Sequence, residues 1–343
     1  MKLDLIYITK DYDKLIELVA RNCYQSFDKM SNNSSDMIAN IMKKGHLSIA
    51  SVGNIVFIGE DIKEMLLEAK EINNYIRWKS IDNYVFTISM NVLTLMDLYK
   101  NEKFKSKYKE LFNFKEFEPW LKICETKKVS FPQKENEYYK KFNEQIKEQV
   151  IVLDDDYNEL KKVFAKLELP ILTKEIDTHL KMHSTMTILF KTMRSIVPQT
   201  WRHMDMTGGS ELSQRYVNLT ETPFISPEPL RKEDLTSDTL AKFIGDEKQI
   251  QEYLYYLNED ILDFYEDSQI VYKNLYDHLQ MLGVKKGRAN EITRNILPSN
   301  IQSIVIQTRP KRQWEHFFEL RSTPHAQPEI RVLNKEIMDK VGV

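Results

Sequence analysis

Cysteine is scarce in this 343-residue chain: only Cys23 and Cys124 occur, the second within a highly charged stretch. That is no basis for a disulfide framework. No Cys/His spacing resembles a zinc site, so no metal is expected. The nine glycines form no G-x-G-x-x-G turn, which excludes a Rossmann dinucleotide domain. No apolar run approaches the ~18 residues of a membrane helix. The opening MKLDLIYITKDYDK gathers charge too quickly for a signal peptide. Charge of one sign is lacking too. The 49 Lys+Arg against 51 Asp+Glu leave −2, so no global basic field points to nucleic acid, which is disfavoured as a partner. These absences leave a soluble, cytoplasmic protein as the expectation, long enough to bury one large core or two modest ones.

What is present reads as a mixed α+β chain. Lys2–Thr9 alternates as a strand, and Asp11–Asn22 carries Leu15, Ile16, Leu18 and Val19 at helical spacing. Ser35–Lys44 reads as a helix with Ser35 as N-cap and Gly45 as C-cap. Ile55–Ile58 and Tyr84–Ser89 read as strands, Glu60–Ile76 as a helix and Leu172–Met193 as strand-like. Residues 99–165 differ: charge is dense and aromatics interleave with lysine. Such interleaving can stack single-stranded nucleic acid, but Glu is almost as frequent here, and a charged helical insertion is the better reading. Beyond a Pro-rich loop, Thr220–Pro229, the segment Leu235–Leu282 is mostly helical. Its stripe of Tyr253, Leu254, Leu257, Ile261, Phe264 and Tyr265 is expected to be core.

The densest chemistry lies in Gln199–Tyr216, QTWRHMDMTGGSELSQRY. Arg202 and His203 close an apolar stretch and Gly208-Gly209 breaks the backbone. Glu211, Ser213 and Arg215 then follow at alternate positions. Two guanidiniums, a hydroxyl and a carboxylate suit a phosphate with a sugar attached, because Arg binds phosphate bidentately. A solvated turn with surface ion pairs carries similar weight on composition alone.

This stretch resembles the signature of the flavin-dependent thymidylate synthases: Arg-His-Arg, seven residues, then Ser, ending Ser-x-Arg-Tyr. Arg202, His203, Glu211, Ser213, Arg215 and Tyr216 match it. Met204 stands where the third Arg is usual, and eight residues separate it from Ser213. Two further blocks, one before and one after this stretch, fall in the family's order. The segment Gly45-His46-Leu47-Ser48 is similar to its Gly-His-x-Ser/Thr turn. Glu291–Pro298, Arg312–Arg321 and His325–Arg331 are similar to its Ala-Arg-x-x-Leu-Pro, Phe-x-x-Leu-Arg and Ala-Gln-x-Glu-Ile segments. Helix geometry adds an independent clue, since Arg321 projects on the apolar side with Trp314, Phe317 and Phe318.

The resemblance implies an α+β fold, an antiparallel sheet flanked by helices, with residues 1–98 and 166–343 as the catalytic domain and 99–165 as an insertion. It implies a methyltransferase that converts dUMP to dTMP, with methylenetetrahydrofolate as carbon donor and FAD reduced by NADPH. Gln199, Arg202, Glu211, Ser213, Gln214, Arg215, Arg294 and Arg321 would bind dUMP. Arg321 and Ser213 are the catalytic candidates. Arg321 would act on the pyrimidine ring, whereas Ser213, with no base near it in sequence, falls to phosphate binding. FAD contacts would come from His46, Ser48, Arg202, His203, Ser210, Glu211, Arg312, His316 and His325. Met204 would cost FAD a charged hydrogen bond, about 1.5–3 kcal/mol. The family places its sites between subunits of a homotetramer. Two other readings are C5 modification of a different pyrimidine nucleotide and a non-catalytic relative that binds nucleotide or nucleic acid.

Overall fold

The computed structural model describes residues 1–30, 34–125, 127, 135–167, 173–202, 208–229, 231–236 and 246–343. Among these residues, two four-stranded antiparallel sheets stand where the sequence suggests one. The first contains β1 (Lys2–Ile8), β2 (Ile55–Glu60), β3 (Arg77–Ser80) and β4 (Val85–Met90) in the order β1-β2-β4-β3. The second contains β5 (Val150–Asp155), β6 (Thr185–Met193), β7 (Gly208–Glu211) and β8 (Gln302–Pro310) in the order β5-β6-β8-β7.

The helices, in chain order, are α1 (Tyr12–Tyr24), α2 (Ser35–Lys43), α3 (Lys63–Ile72), α4 (Val92–Lys100), α5 (Glu102–Lys107), α6 (Glu118–Cys124) and α7 (Glu137–Gln145). Then come α8 (Tyr157–Lys166), α9 (Thr173–His183), α10 (Val197–Trp201), α11 (Glu247–Met281), α12 (Lys286–Thr293), α13 (Lys311–Arg321) and α14 (Pro328–Val341). Among the described residues no helix is long and apolar enough to cross a membrane.

The second sheet is the middle layer. Along β6, Leu189 faces one core and Met186, Ile188 and Phe190 face the other, as the two-residue period of a strand requires. The first core joins the first sheet to α1 and to α4–α7 through Leu15, Phe57, Ile88, Phe104, Trp120 and Phe142. The second lies between β6, β8 and the helices α13 and α14, with Trp314, Phe317, Ile330 and Leu333 as its centre. Strands β6 and β8 are thus buried on both faces, and polar side chains on them need partners within the protein.

Four expectations are corrected here. Residues 99–165 are not purely helical, because Val150–Asp155 forms the edge strand β5, paired with β6. The interleaved aromatics Phe104, Phe117, Trp120 and Phe142 of that segment point inward, at most 3% exposed, so they are no platform for nucleic-acid bases. The described part of Leu172–Met193 is a helix followed by a strand, Leu172 itself lying outside the described residues. The stripe on α11 is not core. Leu254 is buried, but Tyr253 and Phe264 are 55% and 59% exposed. A 35-residue helix outruns the layer beneath it, and only Ile250, Leu254, Ser268, Tyr272 and Tyr276 are covered. At α2 the cap position falls on Ser34, whose side chain caps nothing, and Ser35 is the first helical residue.

A buried polar joint ties the two sheets together. Asn54 donates to Asp156 Oδ2 at 2.9 Å and to the His183 carbonyl at 2.6 Å, and accepts from Arg77 at 3.0 Å. His183 lies between Ser89 and Thr87 at 2.9 and 2.8 Å, and His179 contacts Thr87 at 3.2 Å. Burial, with Lys79 nearby, pushes His179 down to about 4. Burial and the neighbouring Asp154 push Asp156 up to about 8.

Candidate active site

The candidate residues cluster along β8. One face of this strand carries Ser303, Val305, Gln307 and Arg309, and each is at most 1% exposed. Ser303 and Arg309 are six residues apart, about 20 Å of strand. Each end carries an arginine patch.

At the Ser303 end, Glu211 on β7 pairs with Arg194 and accepts from Ser303 Oγ at 2.9 Å. Arg294 closes α12 and lies near enough to Arg194 to help burial lower its pKa. Ser213 donates its N–H to the Cys23 carbonyl at 3.0 Å, anchoring the Ser213–Tyr216 turn to the end of α1. Arg215 is held by Glu291, at 2.8 Å to Nε and 2.7 Å to Nη2. Gln214 beside it is half-buried. The Tyr24 and Tyr216 rings lie 4.9 Å apart at a tilt of 34°, with Arg215 against Tyr216.

At the Arg309 end, α10 delivers Gln199, and Arg202 follows directly. Arg321, the last residue of α13, donates to the Gln199 carbonyl at 2.9 Å, and Gln199 donates to Gln327 at 2.6 Å. A cationic group therefore meets the carbonyl end of α10, where the helix dipole is negative. Burial and the adjacent Arg202 lower the pKa of Arg321. No ion pair engages Arg202 or Arg321 among the described residues, and Arg321 Nε is buried without a partner. Sequence reasoning located Arg321 on its apolar face; the structure adds that a backbone carbonyl meets it.

The Gly208-Gly209 break joins these patches to the turn bearing His46 and Ser48. A Cβ on Gly208 would lie 2.1 Å from the Ser51 carbonyl oxygen, and one on Gly209, at φ +140°, 1.9 Å from that of Ile306. Only glycine permits so close an approach of strand, turn and neighbouring backbone. His46 and Ser48 are exposed at this crossing. Arg312, His316 and His325 are exposed as well; burial pushes Arg77 and His183 down, and Arg312 lies close enough to add to both shifts. His203 and Met204 lie outside the described residues.

The Ser210 hydroxyl donates to the Val19 carbonyl at 2.7 Å and accepts from Asn22 at 3.1 Å, and so ties β7 to α1. Glu211 holds Arg194 and Ser303. Sequence reasoning missed Arg194, Ser303, Gln307 and Arg309. For the last three the signal was present, because Ser303, Gln307 and Arg309 share one phase of the two-residue strand period within a run that carries Ile304, Val305 and Ile306.

The α+β scaffold thus carries arginines from separate segments toward the two ends of one strand, with His46 exposed at the glycine crossing. The sequence model of the Thy1 family, the thymidylate synthase complementing proteins, matches residues 171–342, half of the chain. The chain belongs to that family. It is 28% identical over 152 residues to a protein named flavin-dependent thymidylate synthase from Corynebacterium diphtheriae, covering 44% of this chain and 54% of that one. A protein of the same name from Corynebacterium glutamicum is 26% identical over 168 residues, covering 48% and 61%. Another, from Thermosipho melanesiensis, is 29% identical over 194 residues, covering 53% and 79%. The chain thus spans just over half to about three fifths of the length of the two corynebacterial relatives.

Proposed function

We propose that the protein catalyses reductive methylation of dUMP at C5, with methylenetetrahydrofolate as carbon donor and NADPH as reductant of a bound FAD. The observation that carries this reading is the pair of arginine patches on β8, within a chain of this family. At one end, Arg202 and Arg321 have no carboxylate partner among the described residues; at the other, Arg294 and Arg215 flank Ser213. Each patch is half of a nucleotide site, and a site is completed when the Arg321 end of one subunit meets the Ser213 end of another in a homotetramer.

Within such a site Ser213, Arg215 and Arg294 hold the phosphate, and Gln199 and Arg202 the rest of the nucleotide. This positioning lowers the entropic cost of aligning the ring for reaction. Phosphate would compete with Glu291 for Arg215. Arg321, half-buried and short of one partner, stabilises negative charge that develops on the uracil carbonyl, and a dry pocket strengthens that effect. Ser213 has no base near it in sequence and is assigned to phosphate binding rather than to nucleophilic attack.

The residues present suit a flavin dinucleotide. His46, Ser48, Arg312, His316 and His325 are exposed hydrogen-bonding groups with no ion pair among the described residues, and the Gly208 crossing lets a ligand approach the backbone. These side chains, with Arg202 and His203, would bind FAD, which supplies the hydride when reduced. Ser210 and Glu211 support the site from behind.

The test is tritium release from 5-labelled dUMP by the purified yellow protein, given methylenetetrahydrofolate and NADPH. Colourless protein that takes up no added FAD, or preferential turnover of dCMP or UMP, would sink this reading.

A further inference from the structure

Arg309 is a fully buried cation that neither the family signature nor the site assigned above uses. It is 0% exposed, at the end of a strand buried on both faces. Its Nη2 donates to the Thr200 carbonyl and to Gln307 Oε1, while Nε and Nη1 are buried without hydrogen-bond partners among the described residues. The guanidinium is stacked instead, with Cζ 4.2 Å from the ring centroid of Trp314 and 4.9 Å from that of Phe317. Trp314 is itself fixed by a 2.9 Å bond from its indole N–H to the Met186 carbonyl. No carboxylate among the described residues pairs with Arg309, and Arg321 is near enough that the two like charges interact.

A buried charge with two idle donors costs stability, a cost an apolar side chain at this place would not carry. What the guanidinium does here is read from its contacts. Gln307, whose Nε2 donates to Thr200 Oγ1 at 2.9 Å, completes a lock on the end of α10. Arg309 holds the carbonyl of Thr200 and Arg321 that of Gln199, the residues that lead directly into Arg202.

We propose that Arg309 is a positioning residue for the Arg202–Arg321 half-site. It clamps the α10 terminus so that both arginines keep one orientation. As a permanent like charge behind Arg321, it also keeps this end of the site positive, so that negative charge developing on a pyrimidine ring is stabilised more than the neutral ring. The inference rests on the reading of Arg321 as the residue that meets that ring.

The experiment compares Arg309→Met, Arg309→Gln and Arg309→Lys with wild type as full-length holoenzyme. It measures kcat and KM for dUMP by tritium release, flavin absorbance and Tm. Expected is a fall in kcat of about 10- to 100-fold for Met and Gln, with KM for dUMP within about threefold and flavin content unchanged. Lysine, which keeps the charge, recovers most of kcat. Should Met fail to accumulate, Gln carries the comparison. Wild-type kcat in Met or Gln overturns the inference, as does a loss that lysine does not relieve and that follows flavin content or Tm. A wild type that releases no tritium overturns the functional reading along with it; an active wild type with indifferent variants overturns this inference alone.

Discussion

Gly208 shows how one residue can carry a site without touching ligand. Its missing Cβ lets β7 cross the Leu47–Ser51 turn at backbone contact, and an alanine there would sit 2.1 Å from the Ser51 carbonyl oxygen. One of the two segments must then move, and both bear candidate residues. Gly208→Ala is expected to destabilise by more than about 3 kcal/mol and to lose flavin, read by thermal melting and visible absorbance. Normal Tm and full yellow colour would show that the crossing has slack. Arg321 is the matching case in charge. If it stabilises the ring in the transition state, Arg321→Ala should lower kcat about 10²- to 10³-fold while the flavin spectrum persists. Equal kcat would remove it from the chemistry.

Among elements, β5 and the helices before it matter most. The segment 99–165 reads as an insertion because lysine and glutamate dominate it, yet its aromatics build one wall of the first core and its strand closes the second sheet. Trp120 is 3% exposed and meets Tyr12 at 5.8 Å between ring centroids. Trp120→Ala is therefore expected to cost about 3–5 kcal/mol, measured by chemical denaturation. A cost below ~1 kcal/mol would return the segment to the status of a detachable appendage. Charge density misled here because amphipathic helices show their polar face in composition, whereas the buried face is few residues wide.

For the whole molecule, pH and assembly are the informative variables. His179 is buried and neutral, with its pKa near 4 in the folded state against 6.5 for the free side chain. Its contribution is complete above pH 6.5 and is lost as pH falls toward 4, because the unfolded chain takes up the proton first. Between pH 7 and 5 this amounts to about 2 kcal/mol. His179→Gln should remove that share of the acid sensitivity in a Tm-versus-pH series, and an unchanged slope would count against it. Asp156 acts in the opposite sense, since a raised carboxyl loses its contribution as pH climbs toward 8. Assembly has a sharper test. Arg294→Ala and Arg321→Ala lie in opposite patches, so mixing the two inactive variants should regenerate some intact sites and recover up to about a quarter of the activity, if each site draws on two subunits. Absence of recovery under subunit exchange would argue for sites built within one chain.

The sequence by itself determined which residue types occur together and in what order. Periodicity placed α1, β1 and β2, and the resemblance of the stretches bearing Arg202, Ser213, Arg215, Arg294 and Arg321 to the family's segments implied a nucleotide. It also placed Arg321 on an apolar face, because helix angle follows from residue number alone. Tertiary structure decided which of those groups are free and which are committed. Ser210 is bound to α1, Glu211 to Arg194, and Arg215 to Glu291, all through contacts between segments far apart in the chain. The buried Arg309 belongs to this second class, since its neighbours Thr200, Trp314 and Arg321 come together only when β8, α10 and α13 pack. Local geometry is written in short-range spacing; the partner of a charge depends on the path of the whole chain.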